Sequence, residues 1–210
     1  MSTENAPRLT KAAQREATRA KLLAAARELF GERGYAAVGT EEVVRAAGVT
    51  RGALYHQFAD KQALFRAVFE QLEGEIIQAS AARMADHPDD MVAAFKAGCR
   101  GWLEFSAAPA AERILLVDAP AVLGWELWRE IGEQHGLGVV KASLEHGMAT
   151  GALREAPIEP LAHTLVGALD EAALYVARAA DRERALAETG DVIERLIDGL
   201  AAQQRPAVGR

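Results

Sequence analysis

The composition of this 210-residue chain is that of a globular protein, because half of the residues are hydrophobic and 26% are charged. Such a chain is long enough to bury a real core. The single cysteine, Cys99, excludes an internal disulfide framework and is expected to be a small buried side chain. No zinc-like Cys/His spacing, export signal or long apolar run is evident, so the sequence predicts a cytoplasmic protein with no metal, cofactor or membrane partner.

The formal net charge of −6 is unevenly distributed along the chain. Residues 1–61 contain ten Lys and Arg against seven Asp and Glu, a net charge of +3, which leaves −9 for the remainder. A negative total argues against nucleic-acid binding, but a basic N-terminal module joined to an acidic body does not.

Helical periodicity dominates the sequence, and no run alternates β-branched with polar residues, so the predicted fold class is all-α. A first helix is expected to end near residues 31–34. Thr40 is predicted to cap a second helix, and Thr50 a short third helix of about 51–57. Asp60 is predicted to cap a long fourth helix of about 60–83, which would span about 35 Å and tie the N-terminal module to the body.

Beyond a break at residues 86–90, the predicted helices have softer limits. Helices are expected at about 90–107, 110–117, 121–149, 160–180 and 183–203. Gly136 and Gly138 are predicted to interrupt the helix of 121–149, because glycine disfavours a helix interior.

The second and third helices, joined by a turn with Gly48, have the plan of a helix-turn-helix, whose second helix enters the DNA major groove. In that helix Leu54 and Phe58 should face the core. Gly52, Ala53 and His56 should point outward, with Tyr55 on the flank. Each residue alone has an ordinary structural explanation. Together, two small residues on the outward face favour a surface that another molecule approaches closely.

Arg51 and Lys61 each stand at the first position of a helix, where the helix dipole disfavours a cation. A phosphate would resolve this conflict, since free N–H groups beside a cation form a good anion site. Thr40 and Thr50 can also donate a hydroxyl to a DNA backbone.

The segment GTEEVVRAAGVTRGALYHQFADKQALFRAVFE, with the preceding FGERGY, closely resembles the DNA-binding region of the TetR family of bacterial transcription regulators. The similarity covers about residues 15–72. It implies a two-fold dimer that reads a palindromic operator on double-stranded DNA and is released by a small molecule. Positions matching the family's phosphate contacts are Thr40, Thr50, Tyr55, His56 and Lys61, and those matching positions near base edges are Arg51, Gly52 and Ala53. Many relatives have Thr at position 53, so Arg51 is the remaining candidate for guanine recognition.

The resemblance divides the chain into four parts. These are a flexible N-terminal arm of 1–14, a helix-turn-helix DNA-binding domain of 15–62, a helical effector-binding and dimerisation domain of 84–203, and a frayed tail of 204–210.

The last two helices carry more apolar residues than a surface helix needs, which predicts a homodimer through a four-helix bundle. The candidate interface residues are Leu165, Leu169, Val176, Ile193, Leu196, Ile197 and Leu200. The alternative is that these residues complete the core of a single chain.

Clustered aromatic residues suggest a pocket for an apolar or aromatic effector of unknown identity. The candidates are Trp102, Phe105, Trp125, Trp128 and Glu171, although aromatics at such spacing are more often core. Further polar candidates, among which the sequence does not choose, are Asp118, Glu126, Arg129, His146 and His163. A regulator without an effector stays open. A helical enzyme is the distant alternative, since no nucleophile motif, metal-ligand spacing or phosphate loop is found, and no catalytic residue is predicted.

Overall fold

A computed structural model describes residues 10–202, and the all-α prediction is confirmed. The helices are α1 (Lys11–Arg33), α2 (Thr40–Ala46), α3 (Arg51–Gln57), α4 (Lys61–Ala85), α5 (Met91–Ser106), α6 (Pro109–Glu112), α7 (Ala119–Leu123), α8 (Trp125–Ala149), α9 (Ile158–Arg178) and α10 (Arg182–Asp198). A π-helical turn, Arg113–Asp118, joins α6 to α7. None of the helices in residues 10–202 is long and apolar enough to cross a membrane.

Helix α4 is the element that unites the two parts of the chain. In its first half Leu64 and Phe65 are fully buried, and the Phe65 ring lies 5.4 Å from that of Phe30 on α1. Its later residues pack extensively against α5 and also against α8. The buried side chains therefore form one continuous hydrophobic core rather than two.

The predicted caps are confirmed at two helices and wrong at a third. The Thr50 Oγ1 accepts from the Ala53 N–H at 3.2 Å, and the Asp60 Oδ1 accepts from the Ala63 N–H at 2.7 Å. Thr40, however, is the first residue of α2 rather than its cap. Gly39 occupies the cap position and has no side chain to cap the helix. The Glu42 carboxylate of the first turn accepts the Gly39 N–H at 3.1 Å, which is the carboxylate half of a capping box.

Two predicted boundaries also differ from the structure. Helix α1 begins at Lys11, where Thr10 caps it, so residues 11–14 of the predicted arm are helical. The rest of that arm up to residue 9 and the tail of 204–210 lie outside the described residues. Helix α8 is unbroken, and the chain turns before it at Gly124, whose φ of +85° suits glycine.

The glycines of α8 remain helical because the surrounding helix hydrogen bonds and packing outweigh their low propensity. Two of them, Gly132 and Gly136, border an internal cavity. A Cβ on Gly132 would meet no atom within 4 Å.

We expect Gly132→Ala to raise the free energy of unfolding by about 0.5–1 kcal/mol, because alanine is the better helix former. The matched variant Gly124→Ala should lower it by about 1–2 kcal/mol, because position 124 has a positive φ. Urea unfolding at one fixed protein concentration measures both. Equal effects of the two substitutions would contradict this account.

Candidate nucleic-acid interface and internal cavity

Helix α3 presents a small outward face above a buried one. Leu54 and Phe58 are buried against the module core, as the helical spacing predicts. On the opposite side Gly52, Tyr55 and His56 are exposed, while Ala53 is half-buried. The helix is thus held by two apolar side chains and offers its remaining surface to a partner.

The glycine at position 52 has no packing explanation within the described structure. A Cβ built there comes no nearer than 4.0 Å to any atom outside its immediate neighbours, namely the Thr50 Oγ1. Glycine costs a helix interior about 1 kcal/mol relative to alanine. Packing within the described structure therefore does not require glycine at position 52.

Arg51 is exposed but not without an anion. Its Nη1 lies 3.3 Å from the Glu41 Oε1, and its guanidinium carbon lies 5.6 Å from the centre of the Tyr55 ring. An ion pair this exposed, with side-chain accessibilities of 68% and 75%, is worth about 0.2–1 kcal/mol. The guanidinium can therefore exchange Glu41 for a phosphate or a guanine edge at low cost.

Lys61 is more firmly engaged than the sequence pattern predicts. Its ammonium donates to the Tyr35 carbonyl at 2.6 Å and lies 4.0 Å from the centre of the Tyr35 ring. Desolvation by burial lowers the pKa of this lysine. A phosphate contact by Lys61 remains a prediction, and the ammonium keeps two further N–H donors for it. The Thr40 hydroxyl, by contrast, makes no hydrogen bond within residues 10–202.

The stretch of 109–123, here called the bridging segment, connects the helix-turn-helix module to the body. Ala110 packs against Gly31 so closely that a Cβ on this glycine would lie 2.9 Å from the alanine Cβ. The Asp118 carboxylate accepts the Tyr35 N–H at 2.7 Å. The Gln62 side-chain amide donates to the Val122 carbonyl at 2.6 Å.

A largely apolar cavity lies in the body between α4, α5, α8 and α9. The volume of the cavity is about 70 Å³, which is enough for several water molecules. Its wall residues include Ile77, Met84, Phe95, Cys99, Trp102, Trp128, Val139, Val140, Val166 and Leu169. Burial raises the pKa of the Cys99 thiol to about 12, so the cysteine is a neutral part of this wall.

Two of the five predicted pocket residues line the cavity, namely Trp102 and Trp128. Phe105 packs against the core instead, because α5 turns its side chain away from the cavity wall. Trp125 is 56% exposed and lies against the outer side of Trp128, with ring centres 4.8 Å apart. Glu171 faces solvent, one position beyond the residue that α9 directs inward.

The polar residues that do line the cavity are mainly Glu73, Arg129 and Asp170. Helical spacing could have identified Glu73, which stands one turn before the wall residue Ile77. The Arg129 guanidinium lies 3.4 Å from the Asp170 Oδ2 and 2.9 Å from the Glu133 Oε1. Arg129 was one of several polar candidates in the sequence, whereas nothing local singled out Asp170.

Both acids on the cavity wall hold protons more tightly than usual. Burial, with a smaller contribution from the Asp170 charge, raises the pKa of Glu73 to about 7. Burial also raises the pKa of Asp170 to about 6, although the nearby Arg129 opposes the shift. Glu73 is therefore partly protonated at neutral pH.

The seven predicted dimer residues fall into three groups in the structure: buried, half-buried and, for Leu196 alone, exposed. Leu169, Val176, Ile193 and Ile197 are buried within the single chain, because α9 and α10 turn these stripes toward α5 and toward each other. This corrects their assignment to the interface and supports the alternative that they complete the core. Leu165 and Leu200 are half-buried against that core. Large apolar side chains left exposed on α9 and α10 are Tyr175, Val192 and Leu196.

An exposed third helix on a helix-turn-helix module, fixed to a helical body, is the architecture of a DNA-binding regulator. Residues 22–68 match the family model of bacterial regulatory proteins, tetR family, and residues 92–200 match that of the tetracyclin repressor-like C-terminal domain. The chain therefore belongs to the TetR family of bacterial regulatory proteins.

Individual relatives agree with this assignment. A TetR-family regulator from Pectobacterium atrosepticum is 36% identical, superposes with a TM-score of 0.81 and is covered completely by 94% of this chain. The regulator CymR of Pseudomonas putida is 43% identical over 86 residues, which are 40% of this chain and 42% of CymR. The chain thus spans less than half of that curated relative. RolR in complex with resorcinol shares the fold, with a TM-score of 0.67 over 95% of this chain and all of RolR, at 22% identity.

The raised pKa of Glu73 predicts a loss of stability at high pH. Between the ordinary value of 4.5 and about 7, the folded protein binds more protons than the unfolded chain, so the free energy of unfolding falls as pH rises. Glu73→Gln should match the wild type at pH 5 and exceed its stability by up to about 3 kcal/mol at pH 8.

Urea unfolding at both pH values measures this difference. The control is Glu70→Gln, a half-buried glutamate on the same helix that lies outside the cavity and pairs with Arg66. A stability gap between Glu73→Gln and the wild type that does not change with pH would contradict the prediction.

Proposed function

We propose that this protein is a dimeric repressor whose α3 helices read a palindromic operator, and that a small apolar or aromatic effector in the cavity releases it. The observation that carries the proposal is the exposed α3 face, where Gly52 has no role in the fold. A cytoplasmic location is part of the proposal, because the DNA partner is there.

A palindrome requires a two-fold partner, and the exposed apolar residues of α9 and α10 supply the surface for one. Val192 and Leu196 lie one turn apart on α10, and Tyr175 is on the neighbouring α9. An isologous contact through these residues would supply the two-fold axis that a palindrome requires.

The release step has a continuous path from the cavity to the module. The indole N–H of Trp128, a cavity-wall residue, donates to the Leu115 carbonyl at 2.9 Å. Leu115 belongs to the same π-helical turn as Asp118, which binds the Tyr35 N–H. An effector that displaces Trp128 would shift this turn and, through Tyr35, the start of α4 held by Lys61. If the effector binds the shifted form more tightly than the DNA-binding form, that difference in binding free energy moves the population toward the shifted form.

A regulator without an effector, acting constitutively or as an activator, is the competing function. Selection of the operator from random DNA, followed by release of that DNA with a panel of metabolites, separates the two. We expect a palindrome to be enriched and at least one metabolite to release the protein. Failure to enrich any palindrome would overturn the proposal.

We expect Gly52→Ala to separate folding from DNA binding. The added Cβ should raise the free energy of unfolding by about 0.5–1 kcal/mol, since nothing in the chain opposes it. The same Cβ should weaken operator binding at least tenfold by blocking the close approach of α3. Urea unfolding and fluorescence anisotropy measure the two effects. Unchanged operator affinity would remove Gly52 from the interface.

Arg51→Ala should cost about 1–3 kcal/mol of operator binding and relax discrimination at one base pair in each half-site. Binding to a library of single-base operator variants measures the loss. Arg184→Ala is the matched control, because Arg184 is exposed on α10 and pairs only with its neighbour Glu188 in residues 10–202. Retained base selectivity in Arg51→Ala would make Arg51 a phosphate contact instead.

Val192→Asp should produce monomers with weakened operator binding, because it places a charge on the proposed two-fold contact. Sedimentation velocity measures the oligomeric state, and circular dichroism checks that the helices are kept. Val117→Asp is the control for the oligomeric state alone, because Val117 is 54% exposed, against 53% for Val192, but lies in the π-helical turn of the release path. Dimers in Val192→Asp would place the interface elsewhere.

A further inference from the structure

The cavity contains a carboxyl group that the fold leaves without a partner. Glu73 on α4 is half-buried in the wall of the cavity, and no hydrogen bond or ion pair within residues 10–202 engages its carboxylate. Burying an unpaired carboxylate is costly, so such a group either binds a proton or requires a cationic partner. A polar group of this kind in an apolar pocket is suited to fix the orientation of a ligand.

The charges around Glu73 are predominantly acidic. From α9, Asp170 faces it, and from α8 comes Arg129, with Glu133 beyond. His163 lies at 3.7 Å from the Glu133 Oε1 on the outer side. Helix α5 contributes only Phe95, Gly98, Cys99 and Trp102 to the lining, none of them charged at neutral pH.

The one cation of this lining is already paired. Arg129 is bound by Asp170 at 3.4 Å and by Glu133 at 2.9 Å. A ligand carboxylate would therefore compete with two protein carboxylates for one guanidinium and would face Glu73 as a like charge. The cavity disfavours anionic ligands for this reason.

We propose that the effector is a cation, an apolar or aromatic molecule with a single ammonium group, and that Glu73 is its counter-ion. This inference rests on the proposed function and assigns the chemical class of its effector. The ammonium donates to the Glu73 carboxylate in a charge-assisted hydrogen bond, and the apolar part of the molecule packs against Trp102 and Trp128.

Binding of the ammonium requires the ionised form of Glu73, so it is coupled to proton release. With the pKa of the free protein's Glu73 at about 7, the proton leaves to solvent when the ligand binds below that pH. Affinity for an amine should therefore rise about tenfold from pH 6 to pH 8. Replacement of Glu73 should abolish most of this dependence, and any remainder would belong to Asp170.

Three one-ring probes that differ only in the polar group test the proposal. They are benzylamine, benzyl alcohol and benzoate, titrated at pH 6, 7 and 8 against the full-length protein. Quenching of tryptophan fluorescence reports occupancy, because Trp102 and Trp128 line the cavity, and calorimetry gives an independent affinity. The variants are Glu73→Gln and, as the control on α4 outside the cavity, Glu70→Gln.

We expect benzylamine to bind at least tenfold more tightly than benzyl alcohol or benzoate at pH 8. Glu73→Gln should lose that preference and change the affinity for benzyl alcohol less than threefold, whereas Glu70→Gln should behave as the wild type. Benzoate binding as tightly as benzylamine, a preference that survives in Glu73→Gln, or no binding of any probe up to 10 mM (a ceiling of about −3 kcal/mol) would each overturn the inference.

Release of the selected operator, measured in parallel, keeps this inference separate from the proposed function. Operator release by an anionic or neutral compound alone would overturn the cationic class and leave the effector-released repressor intact. Tight binding of benzylamine through Glu73 without any effect on operator affinity would support the cavity chemistry and contradict the effector-released function.

Discussion

Tyr35 joins the recognition module to the body through three contacts on one residue. Its ring packs between those of Phe30 and Phe65, with centres 5.7 and 5.0 Å away. Its N–H is bound by Asp118 from the bridging segment, and its carbonyl is bound by Lys61 at the start of α4. The position of α3 relative to the cavity depends on this junction, because Asp118 and Lys61 belong to the bridging segment and to α4, the two elements that connect the module to the body.

This junction also changes the meaning of the two cations at helix starts. Arg51 and Lys61 each place a positive charge at the positive end of a helix dipole, and a bound phosphate would offset this repulsion. In the folded chain, each already has a local acceptor, a weak exposed carboxylate for Arg51 and a partly buried carbonyl for Lys61. The two positions are therefore unequal, and Arg51 is the side chain that can be given up to DNA at the lower cost.

Two glycines of α8, which are poor helix formers, leave space for the cavity. Glycines at positions 132 and 136 weaken α8 locally, but the missing side chains leave room beside Trp128. Acids from two other helices, Glu73 and Asp170, border that space, and burial is the main reason that the pKa of each is raised. A site of this kind arises from the packing of distant segments.

Local patterns were sufficient for the helical class, for the ends of α3, for the caps at Thr50 and Asp60, and for the buried pair Leu54 and Phe58. These features depend on contacts within one or two turns, where side-chain periodicity and capping chemistry act directly. The family resemblance rested on the same short-range residues. What the tertiary structure alone decided is which apolar stripe of α9 and α10 stays exposed, which acids face the cavity, and which acceptors hold Arg51 and Lys61. Those outcomes depend on how separate helices pack, and no spacing within a single helix encodes the partner that will lie across from it.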